Sequence, residues 1–529
     1  TTLFRSRKSK NLKKMLVKTY SSTVFGIHAT TITIEVNLGI GVNFYLVGLP
    51  DNSVKESQQR IKAAFKNNDL KFPGKEITVN MAPADIRKEG SVFDLPIAIG
   101  ILAVSEQVKI DHLHEYLMIG ELSLDGSIQL TKGILPIALQ AKKEGFKGII
   151  IPKENAPEAA VVQDLAVIGV ENIQEVINFM NDESSIAPLT VDLQTTFLHP
   201  EFSYEDDFRD VKGQMNIKRA FEIAAAGSHN VILIGPPGAG KSMLAKRLST
   251  ILPPMSMEEA LETTKIHSVA GKVKNNRGLI TQRPFRKPHH TISDIGLIGG
   301  GSYPQPGEIS LAHNGVLFLD ELPEYKRQVL EVMRQPLEDR IVNISRAKFS
   351  IDYPAGFMLV AAMNPCPCGF FNHPEKTCVC GPGVVQKYLN RISGPLLDRI
   401  DLHVEVTPVS FDELSTDIPS EGSKEIRLRV EKAREIQKKR FQNREGMHCN
   451  AQMSKSEFEV NCQLNQEGTQ LLKMAMNKLG LSARAYDRII KVSRTIADLD
   501  GSERIQSKHL AEAIQYRSLD RGNWGTNQA

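Results

Sequence analysis

Short apolar runs rich in β-branched residues alternate with helical runs over the first third of the chain. Between the apolar runs, helical spacing over 53–68 and 138–146 predicts two helices. This alternation predicts an α/β domain over residues 15–182. The predicted strands of this domain are 31–36, 43–49, 76–82, 148–152 and 165–170.

The periodicity is lost over residues 183–206, where Pro, Ser and acidic residues accumulate, and this predicts a linker. A second α/β domain is predicted over 207–410, and a charged, helical lid over 411–529. The predicted elements of the second domain are a helix at 216–227, a strand at 230–235 and strands near 315–319 and 357–363. The predicted amphipathic helices of the lid are 466–478, 482–498 and 507–516.

The composition is that of a soluble globular protein. The 529 residues are 41% hydrophobic and 24% charged. A chain of this length is expected to form about two to four domains. We predict neither a membrane span nor a secretory signal. Because the net charge is only +4, any nucleic-acid surface must be a local basic patch.

The first fourteen residues carry six basic and no acidic side chains. We predict a disordered extension over 1–14, or sequence upstream of a start at Met15, and an organelle transit peptide is the alternative. The chain has six cysteines, four of them close together, which is unlike a disulfide framework in a protein of this size. We therefore predict a reducing, cytoplasmic location.

The strongest chemical signal is a glycine-rich loop, GPPGAGKS, between an apolar strand and a helical run. This context is that of a P-loop, whose backbone N–H groups surround phosphate oxygens at a helix N-terminus. Lys241 is expected to reach the β- and γ-phosphates of a nucleotide, and Ser242 to ligate Mg²⁺. The predicted nucleotide-binding residues of the loop are Gly235, Pro236, Pro237, Gly238, Ala239, Gly240, Lys241 and Ser242.

Two further strand ends carry the polar groups that hydrolysis requires. The apolar run GVLFL ends in Asp320 and Glu321. We predict that Asp320 holds Mg²⁺ and that Glu321 polarises the attacking water; a strand followed by an acidic helix cap is the alternative. The run GFMLVAAM ends in Asn364, which we expect to orient the water against the γ-phosphate.

Two arginines are candidates for phosphate contacts from outside the P-loop. Arg399, within RISGPLLDRIDLHVEV, is a candidate arginine finger for a neighbouring subunit, and a salt bridge with Asp398 or Asp401 is the alternative. Arg484, within LSARAYDRII, is a candidate phosphate sensor at the start of a lid helix. The alternative for Arg484 is a solvated helix arginine.

The P-loop, the Asp-Glu strand, Asn364, Arg399 and the helical lid together resemble an AAA+ ATPase. Two segments, RPFRKPHHTISDIGLIGGGSYPQPGEISLAHNGVLFLDELPE and MNPCPCG…CGPGVVQKYLNRISGPLLDRIDLHVEV, resemble the magnesium-chelatase-like branch, and within it the YifB/ComM family of competence-associated ATPases. This resemblance covers nearly the whole chain from Met15. It implies a hexameric ring that uses ATP and Mg²⁺ to drive branch migration of DNA in homologous recombination. The kinship to magnesium chelatase implies an alternative, an ATPase that remodels a protein partner.

The first domain is similar to the proteolytic domain of Lon, which is also found in RadA-type recombination ATPases. The segments IGELSLDGSIQL and GIIIPKENAPEAAVV carry this likeness. Lon cuts peptides with a Ser–Lys dyad, but those positions fall at Val92 and Leu135 here, with Ser91 and Lys132 close by. We therefore predict an inactive domain that serves as a platform for DNA or ring assembly. A Lon-like peptidase is the less favoured alternative.

Two basic segments are candidates for contact with DNA phosphates. The first is TQRPFRKPHH, and the second has the hairpin-like pattern DRIVNISRAKFSIDYPAG. A solvated basic loop is the alternative for both. His289 and His290 are part of the first cluster and are not predicted to bind metal. The predicted DNA-binding residues are Arg283, Arg286, Lys287, Arg346 and Lys348.

Four cysteines form two C-x-C pairs that begin two residues after Asn364. Four thiolates at this separation can close tetrahedrally on Zn²⁺, and His373 could replace one of them. An iron–sulfur cluster, disulfides or free thiols are the alternatives. Cys449 and Cys462 are assigned no role. The predicted zinc ligands are Cys366, Cys368, Cys378 and Cys380.

Overall fold

The computed structural model describes residues 16–192, 206–273, 278–301, 303–346, 349–373, 375–381, 383–409, 420–442, 444 and 446–517, without the side chains of Arg346 and Phe349. The predicted extension 1–14, most of the predicted linker, Lys348 and the last twelve residues lie outside this range. Contacts divide the chain into two units. The first unit spans Thr1–Pro200 and Ala260–Ile280, and the second spans Glu201–Glu259 and Thr281–Ala529.

Strands and helices alternate through both units. The described strands are β1 Leu16–Phe25, β2 His28–Gly39, β3 Phe44–Val47, β4 Glu76–Ala82, β5 Tyr116–Met118, β6 Glu121–Leu122, β7 Ile128–Gln129, β8 Gly148–Pro152, β9 Ala166–Val170, β10 Val231–Ile234, β11 Phe285–Arg286, β12 Gly299–Gly300, β13 Gln305–Pro306, β14 Val316–Leu319, β15 Ile341–Arg346, β16 Phe349–Pro354, β17 Met358–Met363 and β18 Leu402–Glu405.

The described α-helices are α1 Asn52–Lys55, α2 Ser57–Asn67, α3 Asp94–Val104, α4 Ile134–Lys143, α5 Ala156–Ala159, α6 Ile173–Met180, α7 Met215–Gly227, α8 Lys241–Ile251, α9 Met257–Val269, α10 Asp294–Ile298, α11 Glu308–Leu311, α12 Arg327–Glu331, α13 Arg334–Asp339, α14 Val384–Leu389, α15 Gly394–Leu397, α16 Ser423–Arg440, α17 Lys455–Asn461, α18 Gln466–Leu479, α19 Ala483–Leu499 and α20 Ser507–Gln515.

The first unit is built on a mixed seven-stranded sheet in the order β3-β4-β2-β1-β5-β8-β9. Helix α3 packs on β1 and β2, and all eleven of its residues are buried, so the helix is apolar on every side. The buried Asp94 at its start pairs with Arg60 through two hydrogen bonds of 2.6 and 2.9 Å. The core of this unit therefore lies between the sheet and α3.

Strand β1 is an element that the sequence pattern did not predict. It pairs antiparallel with β2 along its whole length, from Leu16 opposite Asn37 to Phe25 opposite His28. Its inward positions include Thr19, whose hydroxyl donates to the carbonyl oxygen of Pro96 at 2.9 Å. Because its inward-facing residues include small polar side chains with internal partners, the strand lacks the apolar alternation that marks the other strands.

The second unit contains a five-stranded sheet in the order β11-β14-β17-β10-β18, in which every described pair is parallel. The predicted strands near 315–319 and 357–363 are β14 and β17, which lie side by side, and β17 also pairs with β10. Since the strands are parallel, the residues that follow them meet at one edge. The predicted α/β class with a helical C-terminal region is confirmed.

The described part of the helical region contains five helices, α16 to α20, and each has residues in the core of the second unit or packed against it. Their limits follow local capping signals. Asn465 and Ser482 accept backbone N–H groups at the starts of α18 and α19, and Gly480 ends α18 with φ +63°. The observed bounds agree with the predicted helices to within two residues.

The segment 260–280 belongs to the first unit, although it lies within the predicted range of the second domain. The backbone N–H of Gly133 donates to the carbonyl oxygen of Ser268 at 3.1 Å. A Cβ at Gly278 would stand only 2.0 Å from the carbonyl oxygen of Pro157. The backbone of this segment is therefore packed tightly into the first unit.

Candidate functional site

The P-loop connects β10 to α8 at the carboxyl edge of the parallel sheet. Gly238 and Gly240 have φ values of +82° and +80°, which glycine adopts without steric cost. Gly235 is required for another reason, since a Cβ there would stand 2.3 Å from the carbonyl oxygen of Val406. The loop leads into an eleven-residue helix whose free N–H groups favour an anion.

Lys241, the first residue of α8, folds over the P-loop. Its Nζ donates to the carbonyl oxygens of Gly235 at 2.6 Å and Pro236 at 2.9 Å, and to Oδ1 of Asn364 at 3.0 Å. Burial lowers the pKa of Lys241, and the nearby carboxylates oppose that shift. The fold thus brings the predicted phosphate lysine and the predicted water-positioning asparagine into contact.

Asp320, at the end of β14, is the charged centre of the site. Its Oδ2 accepts hydrogen bonds from Oγ of Ser242 at 2.6 Å and from Nζ of Lys287 at 3.0 Å. Burial opposes ionisation of Asp320, but these hydrogen bonds outweigh it and lower the pKa of the carboxyl group. A hydroxyl and a carboxylate are oxygen ligands that suit Mg²⁺, so this donor pair fits that ion.

Glu321 follows Asp320 in a left-handed conformation, with φ +55° and ψ +48°. Such a conformation costs a non-glycine residue about 1–3 kcal/mol and is concentrated at functional sites. The Glu321 side chain is 57% exposed, and its Oε2 lies 3.3 Å from Nδ1 of His290. The carboxylate is therefore accessible to water at the same sheet edge as Asp320.

Lys287 and His290 belong to this site, although the sequence analysis placed both in a candidate DNA-binding loop. Besides its ion pair with Asp320, the Lys287 ammonium lies 5.1 Å from the centroid of the Phe318 ring. The Tyr325 hydroxyl donates to the carbonyl oxygen of Pro288 at 2.7 Å and thereby holds the segment in place. No local motif announces this contact, because Lys287 and Asp320 are 33 residues apart.

The two arginines of the same basic segment have internal partners. Arg283 forms an ion pair with Glu259 at 3.0 Å, and Arg286 binds Glu308 through two hydrogen bonds of 2.6 and 2.7 Å. Arg346 ends β15 in the β15–β16 hairpin, opposite Phe349. Carboxylates therefore hold both Arg283 and Arg286.

Arg399 and Arg484 line one cavity of about 340 Å³ in the second unit. Arg399 is largely buried, pairs with Glu338 and donates to the carbonyl oxygen of Pro395 at 2.7 Å, so its partner is not Asp398 or Asp401. Arg484 lies 3.3 Å from Asp398. None of the contacts described for either guanidinium reaches the P-loop.

The four clustered cysteines bring their sulfur atoms together. Sγ of Cys366 lies 3.3 Å from that of Cys368 and 3.7 Å from that of Cys378, and all four Sγ atoms lie within 4.8 Å of one another. A tetrahedral Zn²⁺ with bonds of about 2.3 Å separates its sulfurs by about 3.8 Å. His373 is outside the cluster, and its Nδ1 accepts two backbone N–H groups.

The Lon-like positions of the first unit hold aliphatic side chains. Leu135 is fully buried and Val92 is partly buried. Ser91 donates to a carboxylate oxygen of Glu121, and no described hydrogen bond joins Ser91 to Lys132. A Ser–Lys dyad requires that contact, so these positions give no support to peptide hydrolysis.

Within the described part of the chain, no helix combines the length and apolar character that crossing a membrane requires.

Family models match three segments. The model described as magnesium chelatase, subunit ChlI, matches residues 207–414. The models described as subunit ChlI of Mg-chelatase and as the C-terminal part of subunit ChlI match residues 34–155 and 420–517.

Three relatives extend this comparison. Competence protein ComM of Haemophilus influenzae is 46% identical over 504 residues, covering 95% of this chain and 97% of that protein. Protein YifB of Escherichia coli is 43% identical with the same coverage of both chains. Lon protease 2 of Bacillus subtilis is 29% identical over 189 residues, covering 30% of this chain and 33% of that protein. The chain therefore belongs to the YifB/ComM family of magnesium-chelatase-like AAA+ ATPases, a family that indicates ATP hydrolysis with Mg²⁺.

Proposed function

We propose that this protein is an ATP-driven motor that acts on DNA as a hexameric ring and drives branch migration during recombination of incoming strands. The contact of Lys241 with Asn364, beside the Ser242–Asp320 hydrogen bond, carries the ATPase part of the proposal. The DNA part is supported by a relative that is named a competence protein and aligns over 95% of this chain.

In the proposed reaction, water attacks the γ-phosphate of ATP in line with the leaving oxygen. Lys241 and the P-loop amides bind the phosphates. Ser242 and Asp320 would hold Mg²⁺, which supplies charge neutralisation when bound. Glu321 would accept the proton of the water, and Asn364 would orient that water. Lys287 would leave Asp320 as the ion enters, since both cations use the same carboxylate oxygen.

Arg399 is proposed to complete the active site of a neighbouring subunit, and Arg484 to sense a nucleotide phosphate from the start of a lid helix. They line the same cavity and have no described contact with the P-loop of their own chain. An arginine supplied in trans neutralises charge that develops on the transferred phosphoryl group. In the ring, Arg399 would exchange Glu338 for this group, which couples hydrolysis to subunit contact.

DNA contact is proposed for the β15–β16 hairpin, which carries Arg346 beside Lys348. Contact by Arg283, Arg286 and Lys287 stays a prediction, and each of these cations has a carboxylate partner. A cation already paired with a carboxylate must give up that partner to bind a DNA phosphate.

The cluster of four cysteines is proposed to bind a structural Zn²⁺. The sulfur separations of 3.3, 3.6 and 3.7 Å among Cys366, Cys368 and Cys378 carry this assignment. Thiolate ligands persist in a reducing compartment, which supports a cytoplasmic location.

The deciding experiment measures ATP turnover with and without a synthetic four-way DNA junction and scores junction dissociation in the same reactions. Stimulation together with ATP-dependent dissociation is the expected result. An ATP turnover rate that no tested DNA changes would reject the motor proposal. It would favour the alternative, a magnesium-chelatase-type ATPase that remodels a protein partner. Proteolysis lost on changing Ser91 or Lys132 would instead support the Lon-like peptidase.

A further inference from the structure

The loop with the four cysteines lies against the nucleotide site. It begins at Cys366, two residues after Asn364, and Asn364 accepts a hydrogen bond from Lys241. Gly369, inside the loop, has φ +87°, and a Cβ there would stand 2.4 Å from Cδ of Pro237 in the P-loop. The loop therefore adjoins the phosphate-binding residues at two points, one covalent and one by packing.

The far half of this loop has little else to hold it. Cys366 is fully buried, and its sulfur accepts the backbone N–H of Phe371 at 3.3 Å. By contrast, the described residues between 372 and 381 are exposed or half-buried, and Val379 is 83% exposed. A segment that buries so little apolar surface needs another source of order. A metal bound by all four sulfurs supplies it, because metal-binding free energy becomes folding free energy.

The backbone also orients one of the sulfur ligands. The N–H group of Phe371 donates to Sγ of Cys366 at 3.3 Å. Groups around a metal site commonly fix the direction of its ligands in this way.

We propose that the metal bound by the four cysteines braces the nucleotide site, so that ATP binding depends on metal occupancy. The brace acts through Gly369 on Pro237, and through the short connection to Asn364 on Lys241. This inference rests on the proposed function only in taking the P-loop as the ATP site. DNA plays no part in it.

The first test compares the full-length protein as purified, after removal of metal with a thiol-reactive chelation protocol, and after zinc is added back. The expected metal content is about one zinc per chain. Removal should weaken binding of a fluorescent ATP analogue by about tenfold or more, and zinc should restore it. Absence of bound metal after anaerobic, reducing purification would overturn the proposal, as would unchanged nucleotide affinity after its removal.

The second test separates the brace from general folding of the loop. Gly369→Ala places a methyl group against Pro237 in a left-handed position, and we expect metal to be retained while nucleotide affinity falls about tenfold. Gly381→Ala is the matched control, since a Cβ there meets nothing within 4 Å. Equal nucleotide affinities in the two variants would overturn the proposal.

These measurements need no DNA, so failure of the motor proposal would not obscure them. If ATP affinity depends on bound zinc but DNA junctions do not change ATP turnover, the brace proposal is supported and the motor proposal is rejected. Cys378→Ser adds a check, because it should lose metal and nucleotide affinity together. Cys462→Ser, which changes a buried cysteine outside the cluster, should lose neither.

Discussion

The candidate catalytic positions of the two units carry different residues. In the second unit, the strand ends present Asp320, Glu321 and Asn364, and each has a polar partner at the P-loop or beside it. In the first unit, the Lon-like catalytic positions hold Val92 and Leu135. Both units are α/β, so architecture does not distinguish a catalytic site from a non-catalytic one. The distinction lies in the polar groups at the site and in the partners that they contact.

Buried carboxyl groups extend this contrast. In the first unit, burial raises the pKa values of Asp94 and Glu158 above their ordinary range. In the second unit, burial is outweighed at Asp320 by Ser242 and Lys287, and the pKa is lowered. Burial therefore disfavours ionisation of these two acids in the first unit, while the partners of Asp320 favour its ionised form in the second.

The largest expected effect comes from Lys241→Ala. We expect loss of measurable ATP turnover, because the cation that faces the β- and γ-phosphates is removed. Phosphate release at saturating ATP measures it. The matched control is Lys132→Ala, an exposed lysine near the inactive dyad position, which should keep full turnover. Equal ATP turnover in the two variants would contradict the assignment of ATP hydrolysis to the P-loop of the second unit.

Glu321→Gln is expected to bind ATP normally and to turn it over about 10³-fold more slowly, since a positioned base is lost while the phosphate contacts remain. Nucleotide titration and single-turnover hydrolysis separate the two quantities. Glu324→Gln is a suitable control because Glu324 pairs with Arg391 at the surface. Full turnover by Glu321→Gln would show that another group activates the water.

Arg399→Lys is expected to lower turnover about 10²-fold with little change in ATP affinity, since a lysine keeps the charge but not the forked guanidinium. The measurement mixes this variant with Lys241→Ala. In a mixed ring, a subunit with an intact Lys241 can receive an intact Arg399 from its neighbour. Mixing should therefore restore part of the ATP turnover. No recovery would argue against an arginine that acts in trans.

The smallest expected effect is on stability. Because burial raises the folded-state pKa of Glu158, its contribution to stability is complete below the ordinary glutamate value and is lost as pH rises through the folded value. Glu158→Gln should therefore be more stable than wild type at neutral pH and should flatten the dependence of stability on pH. Hydrogen exchange of β8 amides across pH 5–8 measures it, with Glu154→Gln as the exposed control. An unchanged slope would contradict the prediction.

Sequence patterns identified the parts of the site that are encoded locally. The P-loop lies within eight consecutive residues, and Asp320 and Asn364 each end an apolar run, so strand periodicity alone places them at one edge of a parallel sheet. The helices of the lid carry capping residues within the same short windows. In each of these features, the residues that produce the local structure are the same residues that form the recognisable sequence pattern.

The features that sequence missed depend on contacts between distant segments. The sequence pattern indicates that Lys287 is one cation of a basic loop, but the fold pairs it with Asp320. It indicates the same for Arg283 and Arg286, which pair with carboxylates of α9 and α11. No local pattern specifies which carboxylate a cation will reach, because ion pairing across 20 or more residues is set by topology.

The segment 260–280 has a consequence for how this chain can be divided. It completes the first unit but is encoded after the P-loop, so the two units are interleaved in sequence. A truncated chain that starts at residue 207 would carry this segment without the backbone of Gly133 and Pro157, against which it packs. Loss or exchange of the first unit during evolution would therefore leave the segment without those contacts. Each unit is encoded in two separated stretches, so neither can be removed as one contiguous gene segment.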